Sequence, residues 1–446
     1  MLPFYTRWLS VEDYGLTDIL SVYVSFLIGI VTCCIGESLF IFPKGVEKKE
    51  QRRYITSGLF FIIFTLSATA VIFVILRFLF DFLNVQNSFS NNIWLVYFML
   101  VSQIFQQITQ QINRSIDKMK VYSLTGVVCT VLTAILGFLL TPLFGFKGVI
   151  WSAVIANILA GFYSIFSSKL YLLIDVREIN KDYLVKMLRY SIPLIPNGIM
   201  WWLVSALNRP LMEHHLGLHD MGIFAVANKI PGILSMIFTI FATSWQISVL
   251  EEFGKTDYNS FYNRIFKMVF GLLLIVFLGL TIFSKFIIGV FAADDFYEAW
   301  KYAPLLTLGV LFSNISSFVG SNFSATRESK YYFYSSVWGA VTAIALNFIL
   351  IPVLGIWGAC ISVGVSFIVM SLSRVAYAWK YVRINGSIRY IIVLTISILF
   401  MLLYIFDASL KYTLIMFVLS MGSLIIFERK ELLLLCNMLK TKLLKH

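Results

Sequence analysis

Apolar runs of about 18 residues or more recur along almost the whole chain. They lie near residues 17–40, 55–82, 92–113, 121–142 and 147–171, then 190–209, 220–248, 265–291 and 301–323, and last 332–353, 355–379, 389–406 and 410–427. A helix of that length crosses a hydrocarbon core of about 30 Å. The expected fold class is therefore an all-α polytopic membrane protein with about 13 transmembrane helices. Composition agrees: 59% of the residues are hydrophobic and 13% charged, where a soluble chain carries about 25% charged residues.

The runs are not independent of one another. Pro3, Leu9, Asp13 and Gly15 return as Pro210, Leu216, Asp220 and Gly222, each 207 positions later (210−3, 216−9, 220−13, 222−15). Pro142-x-x-Gly145-x-x-Gly148 returns as Pro352-x-x-Gly355-x-x-Gly358, offset by 210 (352−142). A polar stripe follows the same rule, with Gln103, Gln106, Gln110 and Gln111 answered by Asn314, Ser317, Ser321 and Asn322, offset by 211 (314−103). A helical bundle repeated within a bilayer gives two lobes with a central cavity between them, an architecture that suits a transporter rocking one repeat against the other. The expected division is 1–187 for the first lobe, 188–386 for the second, and 387–446 for two extra helices with a basic tail.

Thirty-five Lys and Arg against 23 Asp and Glu give a net charge of +12, which could suggest a nucleic-acid partner. Placement argues against it. The basic residues gather in alternate loops, such as Lys44, Lys48, Lys49, Arg52 and Arg53, then Arg114, Lys118 and Lys120, then Arg177, Lys181, Lys186 and Arg189. The loops between are nearly free of positive charge or acidic, as at Asp294, Asp295 and Glu298. This is the positive-inside pattern. It places a multi-pass chain in the cell (cytoplasmic) membrane with its C-terminus in the cytoplasm and, the span count being odd, its N-terminus outside.

Motifs for chemistry are sparse. The five cysteines (Cys33, Cys34, Cys129, Cys360, Cys436) lie in or beside apolar stretches without metal-ligand spacing and read as small buried hydrophobes. Gly254-Lys255-Thr256 has Val249 where a phosphate-binding loop needs glycine. His214, His215, His219 and His446 form no triad, and no zinc or paired-carboxylate signature stands out. The reading is a carrier without cofactor rather than an enzyme.

Two segments carry a family resemblance. Pro3-Phe-Tyr-Thr-Arg7-Trp-Leu9-Ser-Val-Glu12-Asp13-Tyr14-Gly15 resembles the loop after the first helix of Wzx-type oligosaccharide-lipid flippases, and Asn208 to Lys229 resembles their seventh helix, loop and eighth helix. These belong to the multidrug/oligosaccharidyl-lipid/polysaccharide exporter superfamily, together with lipid II flippases. The resemblance implies fourteen helices, in two six-helix lobes plus two C-terminal helices. It implies translocation of an undecaprenyl-pyrophosphate-linked oligosaccharide from the inner to the outer leaflet, with a polysaccharide polymerase and chain-length machinery as assembly partners. The chain departs from the pattern in three places. The second copy is preceded by a helix (Ser191 to Asn208) whereas the first begins at Met1, so one span that relatives possess is expected to be missing. Asn208 stands where many relatives carry Asp, and Ile41 where many carry a basic residue after Gly36-Glu37.

Such a substrate needs a wet cavity with cations for pyrophosphate and hydrogen-bonding groups for sugar, since unpartnered polar groups cost several kcal/mol in hydrocarbon. Lys229, read as about nine residues into its helix, is either a phosphate-attracting cavity residue or half of an ion pair with Asp220 or Glu213. Arg7 and Arg209 flank the paired motif and suit phosphate, or anchor at the interface by snorkelling. Arg77, Arg374 and Lys285 read as snorkelling residues near helix ends. Glu37 and Asp18, at opposite ends of the first visible helix, could pair with a cavity base or take up a coupling proton. Gln103, Gln107 and Gln110, with Asn314 and Ser317 opposite, suit a sugar-contacting wall or interhelical hydrogen bonding. Trp201 and Trp202 read as packing residues, with sugar stacking the alternative. Competing functions are an ion-coupled small-molecule exporter, a membrane glycosyltransferase and a non-transporting scaffold. The glycosyltransferase reading lacks a long external loop bearing catalytic acids.

Overall fold

The computed structural model describes residues 1–326, 328–385, 387–406, 415 and 417–422. It is all helical across them, and it divides into two compact units, Met1–Trp202 and Leu203–His446. The first unit opens with α1 (Leu2–Trp8), α2 (Val11–Val31), the short α3 (Ile35–Ile41), α4 (Lys48–Phe82) and the single turn α5 (Ser88–Asn91). It continues with α6 (Ile93–Ser115), α7 (Met119–Phe144), α8 (Phe146–Ser168) and α9 (Lys181–Ser191), and α10 (Ile195–Ser205) carries the chain onward. The second unit holds α11 (Asn208–Leu216), α12 (Leu218–Ala227), α13 (Lys229–Glu252), α14 (Tyr258–Ile282) and α15 (Ser284–Phe291). α16 (Ala299–Ala325), α17 (Ser329–Leu354), α18 (Ile356–Ala378) and α19 (Ser387–Ile405) follow.

Ten of these helical segments are long and apolar enough to cross a membrane, α12 and α13 together counting as one. The three remaining runs of the thirteen each have an account. The run at 410–427 lies mostly outside the described residues. The run at 92–113 is α6, which at 23 residues is long enough but too polar, because Gln103, Gln106, Gln107, Gln110 and Gln111 all fall in it. The run at 190–209 is broken: Pro193 sits in a 3-10 turn, Ile192–Leu194, and α10 starts afresh just before Pro196. Proline supplies no amide hydrogen and is tolerated only near helix starts.

The internal repeat is visible element by element. α8 and α18 are both 23 residues long, with both ends offset by 210 (356−146, 378−168), and each packs on its two preceding long helices, α6 and α7 or α16 and α17. The elbow into each is built by glycine. Gly145 has φ 56° and ψ −137°, and Gly355 has φ 59° and ψ −133°, conformations an L side chain resists. Each donates its N–H to the carbonyl four residues back, Thr141 or Ile351, at 2.9 Å.

The other half of the repeat solves one problem in two ways. α2 and α12 begin at equivalent positions (218−11 = 207), with Asp13 and Asp220 in their first turns, where a carboxylate favours the positive end of the helix dipole. Before α2 stands Ser10, whose hydroxyl accepts from the Asp13 N–H at 3.1 Å. Before α12 stands Gly217, at φ 84°. Ser10→Ala should cost about 1 kcal/mol through loss of the cap, and Gly217→Ala about 1–2 kcal/mol through left-handed strain, both read from thermal unfolding in detergent.

Candidate functional site

α6 organises the first unit. Ile93, Val96, Leu100, Ile104, Ile108 and Ile112, spaced three and four apart, form a stripe buried in the unit's core. The glutamines run beside that stripe. Two of them are spent on structure: the Gln106 amide nitrogen donates to Gln110 Oε1 at 3.0 Å, and Gln110 Nε2 donates to the Tyr122 carbonyl at 2.9 Å. Gln107 makes no hydrogen bond among the described residues, and Gln111 Oε1 is buried without a partner.

A chamber of about 230 Å³ opens beside this face, its polar wall formed by Thr32, Glu37, Gln107, Gln110, Gln111 and Tyr122. Glu37 reaches it because the helix expected over 17–40 is two helices. Cys33 (φ 47°) and Cys34 (φ 53°) adopt left-handed conformations between α2 and α3, at a cost of roughly 1–2 kcal/mol per residue. Asp18 and Glu37, expected at the ends of one helix, thus sit on α2 and α3 respectively. Glu37 is exposed to the chamber and makes no ion pair among the described residues. The nearby Arg114 guanidinium lies over the Phe40 ring at 3.9 Å.

A second chamber, of about 90 Å³, adjoins the first. Phe26, Ile30, Ile195, Ile199 and Trp202 form its apolar wall. Trp202 is held there by its indole N–H on the Val22 carbonyl at 3.4 Å and by the Phe26 ring at 4.5 Å. Gly29 and Cys34 line both chambers.

The structure thus gathers Glu37, Gln107 and Gln110 of the expected site residues. Gln103 lies one turn before Gln107 on α6, outside the chamber lining, as do half-buried Asp18 and exposed Arg7. Gln111, Thr32, Tyr122 and Cys34 join the wall. In the sequence Cys33 and Cys34 suggest only packing, and nothing local marks their left-handed turn.

In the second unit, Arg209 is buried, donating to the Ser205 carbonyl at 2.9 Å and Asn208 Oδ1 at 3.3 Å, with its guanidinium 5.3 Å from the Phe224 ring centre. Asn314 is buried with its amide nitrogen unpartnered, and Ser317 is half-buried. Asn322 accepts a hydrogen bond from the Tyr258 hydroxyl, so that part of the stripe binds helices together. Lys229 is exposed, and it opens α13 rather than standing nine residues inside a continuous helix. The sequence carried the signal for this correction. Pro231 cannot donate to the carbonyl of Ala227, the last residue of α12, so the helix restarts.

Arg374 also departs from expectation. It is fully buried instead of snorkelling. Its Nε donates to Ser335 Oγ at 3.0 Å, Nη1 to the Ser316 carbonyl at 3.0 Å and Nη2 to Ser336 Oγ at 3.2 Å, and Tyr332 offers its ring face at 4.0 Å.

Known proteins share this fold. A solved structure of the lipid II flippase MurJ in an inward closed conformation superposes with a TM-score of 0.64 at 17% identity, covering 94% of this chain and 92% of that one. An inward-facing multidrug resistance MATE family transporter gives 0.64 at 11% identity, covering 85% and 94%. An uncharacterised membrane protein of Methanocaldococcus jannaschii is 25% identical over 257 residues, 54% of this chain, and the match spans 60% of that protein's length. A MatE family model matches residues 193–349. The model for polysaccharide biosynthesis proteins matches residues 1–246, more than half of the 446. With its duplicated helical bundle and ten candidate spans, this multi-pass membrane chain belongs to the polysaccharide biosynthesis protein family.

Proposed function

We propose that the protein translocates an undecaprenyl-pyrophosphate-linked oligosaccharide from the inner to the outer leaflet, by alternating access between its two repeats. The observation that carries this reading is the family match over residues 1–246. The chemistry supports it. The polar chamber beside the glutamine face offers hydrogen bonds to sugar, and exposed Lys229 offers charge to pyrophosphate. The proposed lobes are 1–187 and 188–386, with 387–446 as two further helices and a cytoplasmic tail. The protein works in the cytoplasmic membrane beside a polymerase and chain-length machinery, and an ion gradient, membrane potential or product removal drives net export.

The test is complementation of a strain lacking its polysaccharide flippase. Lipid-linked repeat units accumulated on the cytoplasmic side should be cleared by this gene, and Lys229→Ala should lower clearance at least tenfold at unchanged protein level. Persistent accumulation with the wild-type protein in the membrane would remove the reading. The MatE-model match over residues 193–349 favours a second one, an ion-coupled small-molecule exporter. Resistance to toxic organic cations on overexpression, without complementation, would select it.

A further inference from the structure

We propose that the two adjoining chambers of the first unit form one site for an amphiphile whose head is a neutral or amine-bearing sugar and whose tail is an alkyl chain. The inference deepens the transport reading, and rests on it only for the identity of the physiological ligand.

Three observations carry it. First, the chambers are continuous in their lining: Gly29 and Cys34 belong to both, and a β-carbon added at Gly29 or Gly198 would meet nothing within 4 Å. Small residues at the junction leave room for a ligand that runs from one chamber into the other. Second, the two halves differ in chemistry. The wider one offers Gln107 and Gln111, whose amides have hydrogen-bonding capacity left over, with Thr32 and Tyr122. The narrower one offers Phe26, Ile30, Ile195, Ile199 and the Trp202 ring. Third, the charge has one sign. Glu37 supplies the carboxylate of the wall, and among the described residues neither lining contains Lys or Arg. Two cations stand near the wall, Arg114, stacked on Phe40 and 6.0 Å from the Tyr122 ring centre, and Lys44, 6.0 Å from the Phe40 ring centre. A carboxylate on the wall repels a phosphate head and attracts an ammonium. Sugar hydroxyls can donate to Glu37 and to the Gln111 oxygen, and an amino sugar adds charge pairing. The pyrophosphate of a lipid-linked substrate is therefore excluded from this chamber and must be met elsewhere.

The experiment uses the full chain in phosphatidylcholine nanodiscs, carrying Cys33→Ser, Cys129→Ser, Cys360→Ser and Cys436→Ser so that Cys34 reports on the junction. Maleimide alkylation of Cys34 is timed with octyl glucoside, octyl 2-amino-2-deoxyglucoside or octyl phosphate below micellar concentration. Both glycosides should slow alkylation at least fivefold, the amino sugar at the lower concentration, and octyl phosphate should not. Glu37→Gln should remove the advantage of the amino sugar. Gly198→Phe, which fills the apolar chamber, should abolish protection by both glycosides. Equal protection by octyl phosphate, or none by either glycoside, overturns the proposal. If Cys34 resists alkylation throughout, equilibrium binding of radiolabelled octyl glucoside decides, since binding unchanged in Gly198→Phe overturns it equally. Failed complementation with protection intact would sink the transport reading alone, and complementation without protection the chamber proposal alone.

Discussion

Gly148→Ala and Gly358→Ala should each deplete the folded protein, at a cost of about 3 kcal/mol or more. A β-carbon at Gly148 would overlap the Leu140 carbonyl, standing 2.6 Å from its carbon and 2.8 Å from the Thr141 Cα. At Gly358 it would overlap the Leu350 carbonyl and stand 2.8 Å from the Ile351 nitrogen. Overpacking between flexible side chains typically costs about 1–3 kcal/mol. Here the obstacle is backbone already committed to helix hydrogen bonds, so relief requires opening the elbow between α7 and α8 or between α17 and α18. Gly232→Ala and Gly279→Ala are the controls, because an added β-carbon meets nothing within 4 Å at either position and alanine is the better helix former. Thermal unfolding in detergent and monodisperse yield report the outcome. Elbow variants as stable as these controls would show that the repeated glycines do not set the helix pairing.

The same elbows explain why much of the fold was legible in the sequence. A Pro-x-x-Gly-x-x-Gly element encodes a stop, a left-handed turn and a close approach within seven residues, so its recurrence at an offset of 210 locates equivalent helices directly. Span length is equally local, being a run of apolar side chains matched to bilayer thickness. Helix interruptions were harder. Pro231 marks the restart at Lys229, but a proline three residues into a helix is compatible with either reading until the break is seen. The turn at Cys33 and Cys34 contains neither glycine nor proline, and tertiary packing of α3 on α6 overrides their local preference. The glutamine face was visible as periodicity. Which glutamines remain available depends on Tyr122, twelve residues beyond Gln110, and therefore on how α7 folds back against α6.

Arg374→Ala should be among the most damaging single changes in the second unit, at about 3–5 kcal/mol. Its guanidinium joins three helices: it leaves α18, reaches a backbone carbonyl of α16 and binds two serine hydroxyls of α17. Truncation opens a cavity where one of the largest fully buried side chains among the described residues stood, and large-to-small core changes cost about 2–5 kcal/mol. It also removes a partner from the Ser316 carbonyl, while Ser335 and Ser336 keep their own bonds to the Tyr332 carbonyl at 2.8 and 3.1 Å. Only part of the polar network is therefore orphaned, and volume is the larger effect. Arg374→Met discriminates the two. Replacing a buried charge by a well-packed apolar residue of similar size is often neutral or stabilising, so Met should recover most of the stability lost in Ala. Arg374→Lys should fall nearer to Ala, since an ammonium cannot reproduce the planar three-way fork. Stability as low in Met as in Ala would assign the hold to the hydrogen bonds. A Met variant that folds normally but no longer clears lipid-linked repeat units would show that the charge itself takes part in transport.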